Sequence, residues 1–175
     1  MRVHLVSASI DYEKAFLAAV RRSRELHGRW VSPPRTRADF RRYLSSKQTD
    51  QNASYFVLTP ERELAGVINL TEMVLGAFRN GYLGYYAFSP YAGQGYMALG
   101  LRAVVQHAFG EHGLHRLEAN IQPQNRPSLA LVQRLGFRKE GFSPRYLKIR
   151  GRWRDHERWA LLREEWPALQ RHAPI

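Results

Sequence analysis

Hydrophobic period switches abruptly at Gly95, and that switch constrains the fold more than any other feature of the chain. Upstream lies a β-rich run, GYLGYYAFSP from Gly81 to Pro90, followed by the turn Tyr91-Ala92-Gly93-Gln94-Gly95. Downstream, Met97, Leu101, Val104, Val105 and Ala108 recur at i, i+4, i+7, i+8 and i+11, one face of a helix that runs to about Glu111. Glycines at the start of a helix leave backbone N–H groups open at the positive end of its dipole, where a diphosphate approaches without meeting a Cβ. A Gly-x-Gly turn is as often only a tight connection, so both readings stand on this motif alone.

The flanking sequence organises around that unit. A first strand is expected over Arg2 to Ala8, a helix carrying Phe16, Leu17, Ala19 and Val20 to near Gly28, and a second helix capped by Thr36 with Phe40, Tyr43 and Leu44 inward. Tyr55 to Leu58 and Leu64 to Leu70 read as strands that form an antiparallel meander with the run ending at Pro90. After the central helix, Gly113 is a stop and Arg116 to Ile121 a strand. Pro127 to Leu135 reads as a helix, and Phe137 to Ile149 with Trp153 to Leu162 as two closing strands. The predicted order is β-α-α-β-β-β-α-β-α-β-β. A length of 175 residues suits one domain, expected over 1–175.

Composition prunes the chemistry. No cysteine is present, which removes disulfides, thiolate metal sites and a cysteine nucleophile, and no metal site is expected. The N-terminus lacks the long apolar core of a signal peptide and no window is long enough for a membrane span, so a cytoplasmic protein without membrane partners is expected. A net charge of +12 favours anionic partners such as nucleic acid, ribosomal surfaces or a multiply phosphorylated cofactor. The basic residues are dispersed, so sequence-specific nucleic-acid binding is not expected.

Among nucleotide folds, a Walker A loop needs Gly-Lys-Ser/Thr, which does not follow Gly95. The run Gly93-Gln94-Gly95-Tyr96-Met97-Ala98 does fit the G-x-G-x-x-A dinucleotide fingerprint, with Glu118 beyond it. The antiparallel meander before it and the scarcity of βαβ units argue against a doubly wound sheet.

Taken together, Gly-x-Gly-Tyr-Met after a strand, Asn125-Arg126-Pro127-Ser128, and Leu135-Gly136-Phe137 with Glu140-Gly141 resemble the GNAT acetyltransferases. The stretch Tyr146 to His156 resembles the closing hairpin of the RimJ and RimL type, and Tyr82-Leu83-Gly84-Tyr85 the RimJ form of the fourth strand. The resemblance covers about Leu64 to Trp166. It implies an α/β (α+β) GNAT fold, with a mixed, mostly antiparallel sheet of about seven strands flanked by about four helices. It also implies acetyl-CoA as cofactor. Tyr86, Ala87, Phe88 and Ser89 would line the pantetheine, Gly93, Gln94, Gly95, Tyr96 and Met97 the pyrophosphate, and Asn125 and Ser128 the thioester. Pro90 stands where the family carries a long polar side chain at the head of this loop.

The implied reaction is attack of an amine on the acetyl thioester, with the N-terminal α-amine of a protein such as a ribosomal protein as acceptor. An α-amine is about a tenth neutral at pH 7, a lysine only about once in 2,500 molecules, so an N-terminus needs little help from a base. The family's glutamate is replaced by Asn120 and its tyrosine by Val132. Glu118, on the same strand face as Asn120, is either a base or a salt-bridged surface residue; Glu72, at the end of the third strand, is a second candidate for which the solvent-exposed reading is favoured. Ser128 is either a donor to the thiolate or a helix cap. Asp155 and His156 face opposite ways on a strand and read as structural. The aromatics Trp30, Tyr82, Tyr85 and Trp153 read as core or groove wall, and Leu26 to Pro34 as part of the acceptor groove. Acetylation of a small amine, or a non-catalytic acyl-CoA-binding or RNA-associated module, are the competing functions.

Overall fold

The computed structural model describes residues 2–166; the outer bounds of the domain expected over 1–175 lie outside them. Seven strands form one sheet in the order β1-β2-β3-β4-β5-β7-β6. They are β1 His4–Ser7, β2 Ala53–Leu58, β3 Leu64–Val74, β4 Asn80–Ala87, β5 Arg116–Ile121, β6 Arg138–Ile149 and β7 Arg152–Leu162. Neighbours are antiparallel except β4 and β5. That topology removes the dinucleotide alternative, which needs a parallel, doubly wound sheet.

Both faces are covered, which is why β2 reads as continuous Phe-Val-Leu rather than as an apolar–polar alternation. Phe56, Leu58, Val67 and Phe88 pack with Phe16 and Phe40 of helices α1 (Glu13–Arg22) and α3 (Arg37–Lys47). Val57, Ile68 and Leu70 pack on the other face with Leu101, Val104 and Val105 of α4 (Tyr96–Gly110). Close approach there needs glycine: a Cβ at Gly66 would lie 2.1 Å from Met97 Sδ, and one at Gly100 would lie 2.4 Å from Val57 Cγ2. These contacts seat the N-terminus of α4 over β3. Thr36 caps α3 through its Oγ1, which accepts from the Asp39 N–H at 3.1 Å.

Five α-helices are present among the described residues, one more than the sequence suggests, because the first expected helix divides at Ser23. The short α2 (Arg24–His27) follows it. Ser23 is fully buried and its Oγ accepts from the Ser89 N–H at 2.9 Å, a tertiary contact that local periodicity does not encode. Gly28, at φ +41°, ends α2. The third strand outruns its expected end at Leu70 and reaches Val74 through an irregularity after Thr71, where Glu72 has φ +52°. Trp153 is not core: it stands 60% exposed on β7. Among the described residues no helix is long and apolar enough to cross a membrane.

Candidate active site

Strands β4 and β5 pair only over Asn80–Tyr82 against Arg116–Glu118 and then diverge. The rest of β4 therefore keeps an open backbone edge. Phe88 N–H donates to Ala65 O at 2.8 Å, so Phe88 and, two residues back, Tyr86 direct their peptide groups toward β3. By the same alternation Tyr85 and Ala87 turn theirs into the gap. Phe88 is thus a buried core residue and not a lining residue, in contrast to its expected place beside a cofactor. His27 Nε2 lies 2.9 Å from Ala87 O and ties α2 to the end of the open edge; burial lowers the pKa of this histidine.

The gap opens into a groove of about 370 Å³ floored by Tyr85, Tyr86 and Ala87 and walled by Gly93, Met97 and Asn125. At its far end Gly93 and Gly95 adopt φ +78° and +90°, and Gly95 caps α4 without a side chain. Gln94 N–H is bonded to Tyr91 O, and Ala98 and Leu99 N–H to Gly95 O. Among the described residues the N–H groups of Gly93, Gly95, Tyr96 and Met97 have no carbonyl partner. A Cβ at Gly93 would meet nothing within 4 Å, so this cradle opens to space large enough for an anion. Of the other residues named for the cradle, Gln94 bonds Pro90 O through its side chain and Tyr96 packs edge-on against Tyr91; Ser89, expected beside the pantetheine, has its amide taken by Ser23 instead.

A second groove, about 340 Å³, lies on the opposite side of the same opening, lined by Glu72, Tyr82, Asn120, Tyr146 and His156 among others. The two grooves share five residues, Trp30, Val31, Tyr85, Asn125 and Ser128, which mark where molecules in the two would touch. Asn125 and Ser128, at the N-terminus of α5 (Arg126–Arg134), are brought together there. Ser128 Oγ donates to Tyr85 Oη at 2.8 Å, and the Tyr85 hydroxyl donates to the Ser128 carbonyl at 3.2 Å. Burial raises the Tyr85 pKa well above the ordinary range, which keeps it a neutral hydroxyl.

The candidate bases separate. Glu118 lines neither groove; its carboxylate accepts from Arg116 Nε at 2.9 Å, and Arg116 also binds Glu140. Glu72 does line the second groove and is exposed. Among the described residues Asn120 Oδ1 is buried without a hydrogen-bond partner. His156, buried beside it, uses Nδ1 at 2.9 Å from Arg154 O, while Asp155 accepts from the Arg145 N–H, so the two do not form a dyad. The sequence carried no signal for His27 or for the Tyr85–Ser128 pair, because each contact joins segments far apart in the chain. Of the Leu26–Pro34 segment, Leu26 and His27 face the first groove, Trp30 and Val31 both, and Ser32 to Pro34 a neighbouring depression.

A family model described as an acetyltransferase (GNAT) domain matches residues 2–138. The chain belongs to the GNAT acetyltransferase family. Within it, ribosomal protein uS5-alanine N-acetyltransferase of Escherichia coli K12 is 40% identical over 117 residues, 66% of this chain and 60% of that enzyme. The match thus spans about 60% of that relative's length. RimJ of Mycobacterium smegmatis, solved with a CoA disulfide, superposes at TM-score 0.86 with 27% identity, covering 97% of this GNAT chain and 87% of that one. Spermidine N-acetyltransferase of Vibrio cholerae, solved with CoA and spermine, gives TM-score 0.80 at 16% identity over 94% and 98% of the two chains, a likeness of fold.

Proposed function

We propose that this GNAT chain transfers an acetyl group from acetyl-CoA to the N-terminal α-amine of a protein, with a ribosomal protein as the favoured class of acceptor. The observation that carries the reading is the meeting of two grooves at Tyr85, Asn125 and Ser128, one ending in an amide cradle and the other open to an acceptor. The residues fit the cofactor: an open strand edge suits the pantetheine amides, and the N–H groups of Gly93, Gly95, Tyr96 and Met97, without a carbonyl partner among the described residues, suit the pyrophosphate.

Acetyl-CoA supplies an acyl group already activated as a thioester. The Tyr85 and Ala87 peptide groups orient it, with an N–H of this edge set to polarise the carbonyl. The amine nitrogen, neutral and held in the second groove, bonds to the carbonyl carbon as the carbon–sulfur bond breaks, and the proton that the nitrogen sheds passes to the departing thiolate, with the Ser128–Tyr85 hydroxyl pair placed to relay it. Asn120, an amide, takes no proton, so the chain depends on amines that are already neutral near pH 7, which favours an α-amine over lysine. Kinship with a uS5-alanine acetyltransferase supports the same choice.

One observation favours a second reading, a small polyamine: the Glu72 carboxylate lies in the acceptor groove. The chain's net charge of +12 opposes it by repulsion. Mass spectrometry of a peptide with a free N-terminus, the same peptide blocked at its N-terminus but carrying lysine, and spermidine decides between them. Acetylation of the first alone is expected; preference for spermidine sinks the protein-acceptor reading, and CoA binding without any turnover points to a non-catalytic module.

A further inference from the structure

Beside the acceptor groove, and sharing Gln122 with it, lies a smaller depression lined by Arg29, Gln122, Gln124, Trp153, Arg154 and Asp155. Its charges are unspent. The ion pairs among the described residues lie elsewhere, on Glu13, Asp39, Glu111, Glu118, Glu140, Glu157, Glu164 and Glu165. Among the described residues none joins a carboxylate to Arg29 or Arg154, nor to Arg150 and Arg152 at the adjoining turn between β6 and β7. Among the described residues Arg154 Nε is buried with no hydrogen-bond partner, and a desolvated donor left unpaired is costly. Arg29 places its guanidinium 4.6 Å over the Trp30 ring, and Trp30 lines both main grooves, so this cation stands at the mouth of the acceptor site. Asp155, the acid among the lining residues, accepts the Arg145 N–H at 2.8 Å through one oxygen and keeps its charge, so the two guanidiniums leave the depression with a net charge of about +1.

We infer that this depression is a specificity subsite that takes the carboxylate of an acidic side chain on the acceptor, in the residues just after the acetylated one. The inference rests on the proposed N-terminal acetylation and names its substrate class: peptides with a free N-terminus followed closely by Asp or Glu. Two guanidiniums match a carboxylate in charge and in fork geometry, and the exposed Trp153 ring gives the following chain an apolar surface beside them. Continuity through Gln122 puts the subsite downstream of the amine, on the route by which a bound peptide leaves the groove.

The test is kcat/KM with the full chain for three peptides that share one N-terminal residue and carry Glu, Gln or Lys in the next three positions. Glu is expected to exceed Gln by about tenfold and Lys by more, with the advantage shrinking as salt rises from about 0.05 to 0.5 M. Arg154→Gln and, separately, the exposed Arg29→Gln should each pull the Glu/Gln ratio toward one; the second keeps the test informative if the first disturbs the fold. Equal rates for the three peptides overturn the subsite while leaving N-terminal acetylation intact, whereas no acetylation of any peptide overturns both. Binding of an RNA oligonucleotide that is lost in both variants, with no peptide charge preference, reassigns the patch to nucleic acid and also overturns the inference.

Discussion

Ser128 and Tyr85 join β4 to α5 with two hydrogen bonds where the two grooves meet. Removing the serine hydroxyl leaves the groove walls in place but, on the proposed mechanism, breaks the hydroxyl pair that relays a proton to the thiolate. Ser128→Ala is therefore expected to lower kcat on the order of a hundredfold, while the dissociation constant for CoA changes by less than about threefold; steady-state kinetics with calorimetry separates the two. His27 and His156 titrate below their ordinary value, each chiefly because burial penalises the imidazolium. Between their folded values and about 6.5 the unfolded chain binds more protons, so stability is fully present above about pH 6.5 and declines as pH falls below it. Urea denaturation from pH 7.5 to 5.5 is expected to show that decline, and His27→Gln should flatten it. Neither histidine's part was legible in the sequence, where His27 is one residue of an unremarkable helix end and His156 sits beside an acid it does not contact.

Elements meet closely where glycine allows it. At Gly100, within α4, alanine would improve helix propensity by about 1 kcal/mol, yet its Cβ would lie 2.4 Å from Val57 Cγ2 and 3.2 Å from Ile68 Cδ1 on the sheet below. Overpacking of a close-packed core costs about 1–3 kcal/mol, so the clash outweighs the propensity and Gly100→Ala should destabilise, read as a lower urea midpoint with an unchanged m-value. Element type was well marked in the sequence: the period change at Gly95 and the paired β-runs define α4, β2, β3 and β4 almost as found. Ends were less well marked. The first helix breaks at Ser23 for a hydrogen bond to Ser89, and β3 runs on past Leu70 because β4 continues to pair with it beyond an irregularity, information carried by the partner strand.

At the scale of the whole molecule, the divergence of β4 from β5 couples ligand binding to stability, since a cofactor lying in the gap bridges halves of the sheet that otherwise pair over only three residues on each strand. Acetyl-CoA at about 100 times its dissociation constant adds roughly 2.7 kcal/mol. For a domain of this size the melting midpoint should rise by about 5–10 °C, with NADH as the control that leaves it unmoved. The sequence by itself determined the order of elements, the glycine-opened start of α4 and, through Asn125, Ser128 and the closing hairpin, the family, because these depend on periodicity, turn chemistry and short motifs that neighbours in the chain share. Only the tertiary structure decided that Tyr85 reaches Ser128, that Phe88 turns away from the gap, that Arg116 on β5 also engages Glu140 on β6, and that Arg29 and Arg154, which meet no carboxylate among the described residues, line one depression. Each of those depends on which strands pair and in what register, and that is settled by packing between distant segments.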